Sequence, residues 1–169
     1  MRLGLKKIII AMTLSEISAL YGGLAQFKAL KRELAGKGGK SVFLQGLHAS
    51  APQLVICNVA GQCGLRCLLV ILSDQEDAAY FYHDMVQTMG EGDVLYFPSA
   101  FRRAAKYGQK DDASEILRTE VLSRLATLQS DAPTLTIVTS PDALAETVIS
   151  KDGLEDRSVA LTVGQTVDR

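Results

Sequence analysis

The apolar residues of positions 13–34 recur every three or four residues, and this spacing predicts an amphipathic helix. Thr13 and Glu16 form a capping-box pattern, T-x-x-E, which marks the start of the helix. The pair Gly22 and Gly23 falls inside the stretch and weakens helical continuity. The pattern therefore predicts either one helix or two helices that join at the glycines.

Beyond this helix, short apolar runs alternate with amphipathic stretches. Strands are predicted at residues 41–47, 67–72, 94–97 and 134–139. Helices are predicted at residues 52–60, 76–89, 114–129 and 141–149. Because strands that alternate with helices and are apolar on both faces are typical of parallel sheets, we expect an α/β fold with a mainly parallel sheet flanked by helices. If strands that complete the sheet lie outside this chain, we expect an open edge or apolar face and self-association.

The two ends of the chain are predicted to lie outside this domain. Residues 1–12 are interpreted as a leader, because their apolar run of about five residues is shorter than a signal peptide or a membrane helix requires. Residues 151–157 are polar and predict a linker. Residues 158–169 open with a second apolar run, which predicts one more strand.

Composition and charge allow a single domain and exclude few functions. The chain has 169 residues, of which 47% are hydrophobic, and this is ample for a buried core. Its net charge of −1 provides no general attraction to nucleic acid or to an anionic membrane, and no membrane partner is predicted. The first 40 residues hold eight lysines and arginines against two glutamates, and a solvated helix face is favoured there over a nucleic-acid contact.

The cysteines indicate neither a disulfide framework nor a metal site. Cys57, Cys63 and Cys67 lie in apolar stretches without a C-x-x-C pair, and His48 and His83 are far from them in sequence. Buried, reduced thiols are the default interpretation, and they fit a cytoplasmic protein. No cofactor is predicted.

The most informative segment is a loop with the layout of a phosphate-binding motif, G-x-x-x-x-G-K-[ST], between the predicted strand and helix. Gly46 occupies the first glycine position, but Ala51, Pro52 and Gln53 replace the second glycine, the lysine and the hydroxyl residue. That lysine would contact the β- and γ-phosphates, and that hydroxyl would hold Mg²⁺. Proline also removes a backbone N–H donor from the anion site. The loop predicts a nucleotide-binding scaffold at the carboxyl edge of a strand. This scaffold lacks the groups that bind and hydrolyse a nucleotide.

Five segments, in order along the chain, resemble the N-terminal module of the bacterial transcription-repair coupling factors, the Mfd family, which is itself similar to the excision-repair protein UvrB. The segments are residues 44–52, 68–78, 94–98, 112–128 and 134–143. The ordered set carries the resemblance, which covers nearly everything from Thr13 onward. It implies a helicase-type domain, RecA-like and similar to the P-loop NTPases, over residues 13–157. It also implies that residues 158–169 are the first strand of a second UvrB-like domain.

The resemblance implies a non-catalytic interaction and regulatory module, the N-terminal fragment of a DNA-repair translocase. In that family this region recruits the UvrA repair protein to RNA polymerase stalled on DNA, and it holds the motor domains of the same chain in a repressed state. The UvrA-contacting surface belongs to the second UvrB-like domain, so no contact residue is carried over to this chain. Two alternatives remain open. One is a divergent helicase-like ATPase, against which Pro52 and Gln53 argue, and the other is a doubly wound protein unrelated to repair.

Other candidate residues carry weaker signals. UvrB has a tyrosine-rich hairpin where this chain has residues 99–108, which hold one Phe and one Tyr; damage verification by base stacking is therefore predicted to be lost. Arg102, Arg103 and Lys106 are candidates for contacts with DNA phosphates, although a solvated loop is the favoured interpretation. Arg118 is predicted to form surface ion pairs on its helix.

Overall fold

The computed structural model describes residues 12–36, 38–101, 111–129 and 132–156. Seven helices and three strands lie within these ranges. In chain order they are α1 (Leu14–Gly23), α2 (Ala25–Leu34), α3 (Ala51–Gln62), β1 (Cys67–Ile71), α4 (Gln75–Met89), β2 (Val94–Phe97), α5 (Asp112–Ala126), β3 (Leu135–Thr139), α6 (Pro141–Leu144) and α7 (Lys151–Asp156).

The three strands form one parallel sheet in the order β1-β3-β2. In the register, Leu69 of β1 and Leu95 of β2 both lie beside Ile137 of β3. α4 connects β1 to β2 and α5 connects β2 to β3, because consecutive parallel strands need a crossover connection. The predicted α/β fold with a parallel sheet flanked by helices is confirmed at this level.

α4 and α5 cover opposite faces of the sheet. The cluster on the α4 face contains Cys57, Ala78, Phe81, Met85, Val94 and Val138. The cluster on the α5 face contains Leu95, Phe97, Val121, Leu135, Ile137 and Ala143. All five residues of the central strand β3 are buried, including the polar Thr136 and Thr139, as expected of a strand that is covered on both faces.

The three N-terminal helices form a further layer against the α4 side. α1 and α2 are separate helices, because the extended backbone of Leu24 interrupts them next to the glycine pair. The capping box is present, with the Glu16 N–H donating to Thr13 Oγ1 at 3.2 Å. Buried Asn58 of α3 donates to the carbonyl of Ser18 at 2.9 Å and so fixes α3 to α1.

The predicted strand at residues 41–47 is wrong. Residues 39–48 form neither helix nor strand, and the Phe43 side chain is 88% exposed. β-propensity describes how a residue fits a paired, half-buried surface, and no described strand lies beside this segment to supply one. Because residues 39–45, which lead into it, form no strand, the Gly46–Ala51 loop does not lie at the carboxyl end of a strand as predicted.

The segment after β3 also differs from the prediction. The helix predicted at residues 141–149 ends at Leu144, and residues 151–157, predicted as a linker, contain α7. Ser150 starts α7, since its Oγ accepts the N–H of Gly153 at 3.2 Å in the manner of a helix cap. The predicted leader, apart from Met12, and the predicted strand at 158–169 lie outside the described residues.

Candidate functional site

The degenerate loop closes through a turn in which the Ala51 N–H donates to the carbonyl of His48 at 3.0 Å. Gly46 has a φ of +83° and Ala49 a φ of +51°, so the backbone twice enters the left-handed region on its way to α3. Pro52 lies in the first turn of α3, where its ring is well tolerated but contributes no N–H. The Ser50 side chain makes no capping hydrogen bond. The loop thus offers few of the donors that a phosphate needs.

A carboxylate lies beside the first turn of α3. Gln53 donates from Nε2 to Oδ2 of Asp84 on α4, at 3.2 Å. The positive end of a helix dipole attracts anions, and a fixed negative charge next to it opposes a phosphate. Both the missing lysine and this carboxylate make the first turn of α3 a poor anion site.

An apolar groove of about 450 Å³ lies next to the same loop. Phe27 and Leu30 of α2 form one wall, and Phe43, Leu44 and Leu47 line the other. The apolar run that predicted a strand therefore lines an open surface instead of a sheet. A surface of this kind suits contact with another apolar group better than it suits a nucleotide.

The most elaborate polar cluster joins the carboxyl ends of β2 and β3. Arg118 of α5 is 5% exposed, and its Nη1 lies 3.1 Å from Oε2 of Glu146. The same nitrogen donates to the carbonyls of Pro98 at 2.8 Å and Ala143 at 3.2 Å. The guanidinium carbon lies 4.2 Å from the centroid of the Phe97 ring. One buried cation thus connects the segment after β2 to α6.

Glu146 is the counter-charge of this cluster. Its carboxylate accepts hydrogen bonds from the Ser99 hydroxyl and, at 2.9 Å, from the Ala100 N–H, in addition to the contact with Arg118. A buried ion pair that is held by further hydrogen bonds fixes geometry more than it adds net stability. We interpret the pair as a structural clamp on the carboxyl edge of the sheet.

The prediction that Arg118 forms surface ion pairs is wrong. The inward positions of α5 are Ser114, Arg118 and Val121, at helical spacings of four and three. An arginine in register with the buried stripe was the signal that sequence reasoning missed. Glu146 had no such signal, because it follows α6 in an irregular segment that only the tertiary fold brings to Arg118.

The connections that leave β1 and β3 diverge to opposite faces, and in doubly wound sheets ligands bind at such a point. Here Ser73 and Asp74 are engaged in local structure, whereas the buried hydroxyl of Ser140 has no hydrogen-bond partner among the described residues. Asp74 caps α4 by accepting the Asp77 N–H at 2.9 Å, and the Ser73 hydroxyl donates to the Asp77 carboxylate. Ser140, which follows β3, is 1% exposed. In the part of the chain that the structure describes, no three His, Cys, Asp or Glu side chains converge on a metal-binding geometry.

The cysteines are free but not uniformly buried. Cys57 is buried as predicted, whereas Cys63 is half-buried and Cys67 is exposed. Burial raises the pKa of the Cys57 thiol to about 11. Desolvation also raises the pKa of Cys63 and of Cys67. Because the thiolate is the reactive form, all three are weak nucleophiles at neutral pH.

The remaining predicted candidates, Arg102, Arg103 and Lys106, lie outside the described residues and stay predictions. Over the described ranges, no helix is long and apolar enough to cross a bilayer. Comparison with protein-family models, with curated proteins and with solved structures finds no match to this chain.

Proposed function

We propose that this chain is a non-catalytic protein-interaction module, the N-terminal fragment of a transcription-repair coupling factor. In this proposal the described residues belong to its first UvrB-like domain, of RecA-like type. The parent protein works in the cytoplasm, displaces stalled RNA polymerase from DNA and recruits UvrA. The ordered set of five sequence segments and the compatible parallel α/β sheet support the assignment.

The side chains at the first turn of α3 provide the main support for the non-catalytic part of the proposal. A phosphate-binding loop needs a run of free N–H donors, a lysine and a hydroxyl at a helix N-terminus. Pro52 and Gln53 stand at the lysine and hydroxyl positions, and Asp84 holds a carboxylate against Gln53. The site therefore lacks the groups that would bind and polarise a nucleotide. An open apolar groove beside the loop is consistent with a surface for protein contact.

UvrA binding tests the coupling-factor assignment. UvrA is titrated against two immobilised proteins, this 169-residue chain and a version extended by about a hundred residues, the size of one small domain. The extended version is expected to bind, because the family's contact surface lies in the second UvrB-like domain. The short chain is expected to bind weakly or not at all, since residues 158–169 are too few for an interface of roughly 800 Å² per partner.

Two outcomes contradict parts of this proposal separately. If neither version binds UvrA, the coupling-factor assignment is wrong. If both bind equally with submicromolar affinity, the assignment stands but the contact surface lies in the first domain. Micromolar binding of Mg-ATP by this chain would instead favour the divergent helicase-like ATPase.

A further inference from the structure

β1 has an outer edge that no described residue pairs with. The Leu135 N–H donates to the carbonyl of Arg66 at 3.1 Å, and the Leu72 N–H donates to the carbonyl of Thr139 at 2.9 Å. Because successive residues of a strand direct their backbone groups to opposite sides, residues 66, 68, 70 and 72 bond to β3. The N–H and C=O groups of the three intervening residues, 67, 69 and 71, point to the outer edge.

The side chains of the same three residues form an uncovered apolar face. Cys67 is exposed, Leu69 is 49% exposed and Ile71 is 52% exposed. In the register they lie on the α5 side of the sheet, level with Leu135 and Ile137 of β3. α5 covers β2 and β3 on that side but leaves β1 open.

This face continues into a cavity of about 330 Å³ between β1, α5 and the segment after α6. Leu125, Leu144 and Val148 line it together with Leu69, and each of the four keeps two-fifths to half of its surface in water. Contiguous exposed apolar surface on a soluble domain, once it exceeds a few hundred Å², commonly marks an interaction site.

We propose that β1 pairs in antiparallel fashion with β1 of a second copy of this chain, about a two-fold axis at Leu69. Leu69 then lies opposite Leu69 of the second copy, and Cys67 lies opposite its Ile71. The three outward-pointing residues of each copy exchange N–H and C=O bonds in pairs, and the two sheets join into one of six strands. A two-fold axis perpendicular to the sheet brings both open apolar faces to the same side, where each extends the other.

The edge fits its own copy for three reasons. An odd number of outward-pointing residues centred on Leu69 is self-complementary under a two-fold rotation, which a dimer interface of this kind requires. β1 carries no charged side chain, so like charges do not meet along the paired strands. A five-residue edge alone is small against the roughly 800 Å² per partner of a stable interface, and the lining of the adjacent cavity supplies further area.

The test measures mass and amide exchange on the full chain. Light scattering after gel filtration, from about 1 to 500 μM loaded protein to span typical weak-dimer affinities, is expected to show a species of twice the 18.2 kDa chain mass at the high end. Leu69→Lys should remove that species, because it sets two ammonium groups against each other at the axis. The matched control is Ile116→Lys, since Ile116 is a 69% exposed apolar residue on α5, and this variant should still dimerise.

Amide hydrogen exchange on the unmodified chain gives a readout that does not depend on how a variant folds. The N–H groups of Cys67, Leu69 and Ile71 should become protected as concentration rises. A chain that stays monomeric throughout overturns the proposal; if those amides are then protected at every concentration, another segment of the same chain covers the edge. Dimers that persist in Leu69→Lys also overturn it, because the interface then lies elsewhere.

Discussion

The buried pair of Arg118 and Glu146 allows a quantitative test of the fold. Arg118→Met keeps a long apolar side chain of similar reach but removes the charge and all its donors. It deletes the contact with Glu146, the bonds to the carbonyls of Pro98 and Ala143, and the stacking on Phe97. It also leaves the Glu146 carboxylate largely buried without its counter-charge.

The expected loss follows from those contacts. Removing one partner of a buried ion pair costs about 3–5 kcal/mol, chiefly because the other charge stays buried. Glu146 retains its bonds from the Ser99 hydroxyl and the Ala100 N–H, and its side chain is 15% exposed, so we expect the lower part of that range, about 3 kcal/mol. Domains of this size unfold with about 5–15 kcal/mol, so the variant should still fold.

Urea unfolding followed by circular dichroism measures the change in the free energy of unfolding. With a slope of about 1–3 kcal/mol per molar urea, a loss of about 3 kcal/mol lowers the midpoint by roughly 1–3 M. Arg124→Met is the matched control, because Arg124 lies on the same helix, is exposed and donates one bond to the carbonyl of Gly92 at 2.8 Å. That variant should lose less than about 1 kcal/mol.

A double-mutant cycle with Glu146→Gln separates the pair from its surroundings. The double variant should be less destabilised than the sum of the single variants by about 1–3 kcal/mol, because each single change strands the other charge. An Arg118→Met midpoint equal to that of the unmodified protein, or strictly additive effects, would show that the pair is not the clamp that we infer.

Three further outcomes are expected. Isothermal titration with Mg-ATP should be flat up to about millimolar ligand, and Pro52→Lys should leave it flat because the neighbouring motif positions remain changed; a micromolar dissociation constant, on the order of −8 kcal/mol, would contradict this. Burial raises the Cys57 pKa to about 11, above the pKa of the unfolded chain. The stability that the buried neutral thiol provides is therefore lost as pH rises from the unfolded-state pKa toward the folded-state pKa. Cys57→Ala should therefore reduce the fall in the free energy of unfolding between about pH 8 and 11 by about 1–2 kcal/mol. If stability falls equally steeply with pH in the variant and in the unmodified protein, Cys57 is not the group responsible. Asp74→Ala should cost about 1 kcal/mol in thermal unfolding, because the Asp77 N–H loses its acceptor, whereas Asp74→Asn should retain most of the stability.

The sequence alone was sufficient for those parts of the fold whose signals are local. Helix periodicity and the Asp74 cap predicted α4 to within one residue of its start, and the box at Thr13 and Glu16 predicted the start of α1. The apolar runs predicted all three strands that pair. These signals succeed because a cap or a period acts between residues a few positions apart, whose geometry the backbone itself fixes.

The run at residues 41–47 also holds several large apolar residues, yet it remains irregular. A strand is stable only beside another strand, and the order β1-β3-β2 leaves the run without a described neighbour. In the candidate site, the difference between the sequence prediction and the structure has another cause. The residues of the degenerate motif could be read from the sequence, but the carboxylate of Asp84 beside Gln53 could not, since 31 positions separate them.

Burial likewise depended on contacts between distant segments. The sequence predicted Arg118 on the surface, but Glu146, Pro98 and Ala143 surround it in the folded chain. Leu69 lies in an apolar run that predicted a strand, and it is half exposed because α5 covers β2 and β3 and stops short of β1. Residue type sets how much free energy burial or exposure costs, whereas the packing of helices on the sheet decides which residues are buried and which are exposed.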